Sequence, residues 1–210
     1  MTTQANPTGR GLLVADVAVK LATVGLLLWA VLNPDLPQFQ GKAFTGRAIV
    51  YPAVLLFIPL GWWVFGSRTI SFPFAADILF GLPFLIDVGG NALNLYDTIE
   101  WWDDLNHFVN WALLTAAVTI PLRWTMLGGW ACVGLAVGFG AVSAIGWELG
   151  EYVTFIRFSD ELSTAYTDTL GDLALGTLGG AIGALVVMLA SSSTAVQRGK
   201  DAAKSAPTEH

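Results

Sequence analysis

Apolar residues fall along this chain in six long blocks, near residues 11–32, 47–66, 72–95, 105–121, 126–155 and 167–190, with short polar stretches between them. A membrane-spanning helix needs about 20 mainly apolar residues. Lipid offers no partner for free backbone N–H and C=O groups, so spans of this kind form as helices. The pattern predicts an all-α fold: a polytopic membrane helix bundle with about six transmembrane helices, forming a single domain over residues 1–190. Residues 191–210 are polar and rich in small side chains and are expected to be a disordered tail. Asp16 and Lys20 interrupt the first block one helical turn apart, where they can pair. Asn33-Pro34-Asp35 after it is a poor cleavage site, so the first block reads as an uncleaved helix rather than a signal peptide.

Composition agrees with the blocks. The chain is 54% hydrophobic and 12% charged, with mean hydropathy +0.61, whereas soluble domains carry about 25% charged residues. The partner this implies is the lipid bilayer, and the location a cell membrane, crossed several times. A formal charge of −6 excludes a nucleic-acid binder. A single cysteine, Cys132, excludes a disulfide framework, and two histidines, one of them the terminal His210, exclude a histidine-rich metal site.

Six spans put both termini on one side. That side holds Arg10, Arg68, Arg123, Arg198, Lys200 and Lys204; the other holds Lys42, Arg47 and Arg157. The excess of basic residues predicts cytoplasmic N and C termini. Tryptophans near the span ends fit an interfacial belt. Four-residue glycine spacings at Gly134/Gly138, Gly146/Gly150, Gly176/Gly180 and Gly179/Gly183 are candidate helix contacts, with the sixth span the best packing face.

Direction gives the polar residues meaning. The third span ends with Asp87, Asn91 and Asn94, and the fourth begins with Asp103, Asp104, His107 and Asn110. The fifth ends with Glu148 and Glu151, and the sixth begins with Asp168 and Asp172. All four sets therefore arrive at the same, outer face. Ionisable groups at membrane depth cost roughly 2.5–3.5 kcal/mol each on insertion scales, and they persist where they face each other, water or a function. Asp103 and Asp168 also suit helix starts, where carboxylates are favoured without any further role. A faint repeat accompanies this plan: Asp103 aligns with Asp168, Leu105 with Leu170, and His107 with Asp172.

The chain resembles the YjdF-like inner-membrane proteins and, more distantly, the VanZ-like proteins linked to teicoplanin resistance. The resemblance rests on Asp87, Asn91 and Tyr96, on Trp102-Asp103-Asp104-Leu105-Asn106-His107-Phe108, on Glu148 and Glu151, and on Asp168 and Asp172 with the glycines that follow. It covers roughly residues 70–190, and implies a multi-span membrane protein with no particular reaction.

Three functions suit the polar set. Asp87, Asp103, Asp104, Glu151, Asp168 and Asp172 can supply oxygen ligands to a divalent cation such as Mg²⁺ or Mn²⁺. With Asn91 and Asn110 in support and His107 or Glu148 as general base, such a site suits chemistry on a lipid or polyprenyl-phosphate headgroup. By sequence the nearest cation for a phosphate is Arg157. The second function is a binding or transport site for a cation or proton. The third is structural: a polar knot that fixes the bundle or docks a partner.

Overall fold

A computed structural model describes residues 7–205 apart from Arg68, with side chains described for residues 9–191 apart from Arg68 and Glu161. The described chain is helical throughout its six spans, which run over Gly9–Leu32, Phe44–Gly66, Phe74–Ala92, Trp102–Leu122, Gly129–Phe158 and Ala165–Ser191. It is a multi-pass membrane protein.

Helix α1 is Pro7–Leu32. The second span is broken into α2 (Phe44–Leu55), α3 (Phe57–Gly61) and a π-helical turn, Trp62–Gly66. Two prolines account for the break. Pro52 and Pro59 have no N–H, so neither can close the backbone bond to the residue four back, and Pro59 would have served Leu55, where α2 ends. Helices α4 (Phe74–Ala92), α5 (Leu95–Thr98), α6 (Trp102–Leu122) and α7 (Gly129–Thr154) follow. The last helix, α8, covers Ala165–Ser205. It thus runs through residues 191–205, where the sequence predicts a disordered tail; residues 206–210, including His210, lie outside the described residues.

Helix α6 is the hub. It packs chiefly on α8 and α4, while α1 covers α4 and α7 covers α8. Small residues set the α6–α8 approach. A Cβ placed on Gly179 would overlap the Phe108 carbonyl oxygen, and one on Gly183 the Ala112 carbonyl oxygen. One turn away, Gly176 lies under the Trp111 ring and Gly180 under the Thr115 hydroxyl. Gly140 of α7 meets the same hydroxyl, with a Cβ there only 2.8 Å from Thr115 Oγ1. Close backbone approach of this kind stabilises membrane helix pairs through dispersion rather than water exclusion. By contrast Gly134, Gly138, Gly146 and Gly150 have nothing within 4 Å of a built Cβ. Of the glycine pairs in the sequence, the two on α8 make the contact.

The α6–α8 register is the one the sequence repeat suggests. Trp111 faces Gly176 and Thr115 faces Gly180, which continues the alignment of His107 with Asp172. The two helices therefore run parallel, and the start of each reaches the same end of the bundle.

Candidate cation site at one end of the bundle

Four spans deliver polar side chains to this end, as the sequence predicts, and a fifth joins them. Helix α4 ends with Asp87 and Asn91, both buried. Helix α6 begins with Asp103, and one turn later with His107 on the same face. Helix α7 ends with Glu148 and Glu151, and α8 contributes Asp172. The fifth is α2, whose first turns carry Arg47 and Tyr51.

The site has two halves of different character. In the first, every charge is answered. Arg47 Nη1 donates to both oxygens of Asp87 at 2.7 and 2.6 Å, and the Tyr51 hydroxyl donates to Asp87 Oδ2 at 2.6 Å. The Tyr96 hydroxyl donates to Asp87 Oδ1 at 3.2 Å, and Asn91 donates to the Asp87 carbonyl oxygen at 3.0 Å. Burial beside the Asp87 carboxylate holds the Tyr96 phenol well above its ordinary range, so it remains a donor. A buried charge pair is tolerated when the geometry is good and the remaining lone pairs are satisfied, and Asp87 meets both conditions.

In the second half the charges are not answered. His107 Nε2 stands 3.7 Å from Asp103 Oδ1 and 3.7 Å from Asp172 Oδ1. Its other nitrogen, Nδ1, stands 3.6 Å from Glu148 Oε1. These separations are too long for hydrogen bonds. His107 Nδ1, Glu148 Oε1 and Asp172 Oδ1 are buried with no hydrogen-bond partner. Side-chain exposure is 7% for His107, 7% for Glu148 and 4% for Asp172, against 46% for Asp103. The group is therefore sealed on three sides and opens past Asp103. Glu148 is held from behind by the Thr169 hydroxyl at 3.2 Å. Glu151 leans the other way, 3.9 Å from Arg47 Nη2, and so joins the two halves.

Two sets of ligand-type atoms converge closely enough to share an ion: Asp103, His107 and Asp172, and His107, Glu148 and Glu151. Asp104 and Asp168, expected as metal ligands, belong to neither set and are exposed at the rim in the first turns of α6 and α8. Asp104 follows Asp103 by about 100° of helical rotation, which carries it off the bundle face. Asp87 also belongs to neither set, because Arg47 and the two tyrosines occupy it. Asn110 donates only at 3.5 Å to Asn106 Oδ1, and its own oxygen is buried without a partner.

The sequence reading missed Arg47, Tyr51 and Tyr96 as site residues. Arg157, its candidate cation, is exposed and lies over the Phe158 ring at 4.4 Å. The signal for Arg47 was present: it stands at the start of a span on the same face as the acidic set.

No curated protein and no solved structure matches the chain. Residues 15–193 match the family model described as predicted membrane protein, DUF2238, a match that begins within the first span and takes in the other five and the whole polar end, and the chain belongs to that family.

Proposed function

We propose that this membrane protein binds a divalent cation, Mn²⁺ or Mg²⁺, through Asp103, His107 Nε2 and Asp172, and presents it to an anionic headgroup at the outer face of a cell membrane. The observation that carries the reading is the convergence of His107 Nε2, Asp103 Oδ1 and the buried, unpartnered Asp172 Oδ1 on one point, with Nε2 3.7 Å from each oxygen. Ligand atoms about 2.0–2.2 Å from one ion stand roughly 3 Å apart, so spacings of 3.7 Å need only small rotamer shifts to close on a cation.

The second set is the weaker ligand group. Glu151 is drawn toward Arg47 and Glu148 is held by Thr169. Glu148 is better placed to take the Nδ1–H of His107 and fix the ring with Nε2 toward the ion, as carboxylates commonly do behind ligating histidines. His107 and Glu148, which the sequence suggested as general bases, become ligand and orienting group.

Charge decides between cation and anion as first ligand. Asp87, Asp103, Glu148, Glu151 and Asp172 bring five carboxylates together, against the single guanidinium of Arg47. Arg47 is already engaged by Asp87, so a phosphate finds no free cation among these groups and would be held through the metal. A cation there would polarise a phosphoryl oxygen and lower the pKa of a bound water. That suits hydrolysis or transfer at a lipid or polyprenyl phosphate. The structural reading fits the Asp87 half, whose groups are fully satisfied.

The test is calorimetric titration of the protein in detergent with Mn²⁺. One site per chain is expected, with binding lost in Asp172→Asn and kept in Asp104→Asn. Equal binding by the wild type and Asp172→Asn would overturn the assignment.

A further inference from the structure

A second ionic group lies toward the opposite end of the bundle, where α1 packs on the first turns of α4. Lys20 Nζ donates to Asp16 Oδ2 at 3.0 Å, the pairing expected from their spacing. It also donates to Asp77 Oδ2, a partner the sequence did not suggest. Asp77 is 1% exposed and Asp16 5%. Each keeps a second oxygen, Oδ1, that is buried with no hydrogen-bond partner.

Two carboxylates thus share one ammonium inside membrane-spanning helices. With all three ionised the group would carry a net negative charge at membrane depth, which lipid penalises strongly. Two desolvated carboxylates side by side do not both ionise readily; they hold one proton between them. Both carboxylates bind the same Lys20 Nζ, which holds them side by side.

Among the described residues, Lys20 is the one cationic group bonded to either carboxylate. On α2, Arg47 and Tyr51 are bound to Asp87 at the far end of α4, and the residue of α2 beside Val19 and Gly81 is Leu55. On α6, Asp103, Asp104 and His107 are also at the far end, and Arg123 is exposed. Arg10 of α1 is exposed as well.

We infer that Asp16, Lys20 and Asp77 form a proton-binding site, in which one exchangeable proton is shared by Asp16 and Asp77 while Lys20 balances the remaining negative charge. The site is separate from the cation site and stands whether or not that site binds metal. Protonation makes the group neutral; loss of the proton leaves one uncompensated negative charge in the membrane. Lys20, whose side chain is 22% exposed, is its most accessible member.

Infrared spectroscopy of the detergent-solubilised protein tests this through the carbonyl stretch of a buried carboxylic acid. Wild type should show a band that shifts in D₂O and disappears at high pH. In Asp77→Asn, and separately in Asp16→Asn, the remaining carboxylate pairs alone with Lys20 and ionises. Either substitution should therefore remove the same single band. Lys20→Met should instead add a second acid band, since both carboxyls then take a proton. A wild-type spectrum with no such band overturns the site, as do acid bands that are all unchanged by both Asp substitutions. Because two independent single variants are expected to give one result, a folding failure in either leaves the other decisive.

Discussion

Replacing Gly179 by alanine should part α6 from α8 and weaken the proposed cation site without touching any of its proposed ligands. A Cβ at position 179 would overlap the Phe108 carbonyl oxygen and stand 2.9 Å from its carbonyl carbon and 3.1 Å from its Cα. These are backbone atoms of a packed helix and have no rotamer to yield, so the helices themselves must move. Overpacking of this kind costs typically about 1–3 kcal/mol. The gain in helix propensity from glycine to alanine, about 1 kcal/mol in water, acts in the opposite direction. Gly134 and Gly138 supply the control, since each lies within α7 and has nothing within 4 Å of a built Cβ. The propensity term is common to both classes and cancels, leaving Gly179→Ala less stable than Gly134→Ala by about 1–3 kcal/mol. Reversible unfolding in mixed micelles would measure it. Asp172 sits two turns before Gly179 on the same helix, and its 3.7 Å separation from His107 depends on this approach, so Mn²⁺ affinity should fall in Gly179→Ala and hold in Gly134→Ala. Equal stability of the two variants would refute the close α6–α8 seam.

Arg47→Met should destabilise the fold by about 3–5 kcal/mol, because it strands a buried carboxylate, and Arg47→Met with Asp87→Asn should recover part of that loss in a double-variant unfolding cycle; a loss below about 1 kcal/mol would place the pair with exposed salt bridges instead. A reporter active only in the cytoplasm, fused after His210, should be active, since the basic residues favour cytoplasmic termini; activity of a reporter that works only outside the cytoplasm would move the cation site to the inner face.

Much of this arrangement is legible in the sequence because bilayers impose a simple grammar. Span length and direction together bring Asp87, His107, Glu148 and Asp172 to one end before any contact is known. Rotation about each helix axis is less legible. Asp103 and Asp104 are adjacent and chemically alike, and only the seating of α6 on α4 and α8 turns one inward and leaves the other exposed. Long-range partners are the least legible. Arg47 reads as a loop charge for topology, yet it is the counter-ion of Asp87 forty positions later. Asp77 carries no mark in the sequence that points to Lys20, and their bond follows from α1 packing on α4. The break in the second span goes unread in the pattern of apolar blocks: Pro52 and Pro59 each lack the N–H a continuous helix needs there, and the resolution into a π turn depends on packing.

Pulsed electron paramagnetic resonance of the Mn²⁺-loaded protein addresses the cation site most directly, because it reports the nuclei bound to the ion. With His107 Nε2 as a ligand, Mn²⁺ should show coupling to one directly bound imidazole nitrogen, lost in His107→Gln while the oxygen ligation of Asp103 and Asp172 persists. Mn²⁺ that binds with no nitrogen coupling, or that keeps the coupling in His107→Gln, would contradict a site built on Asp103, His107 and Asp172.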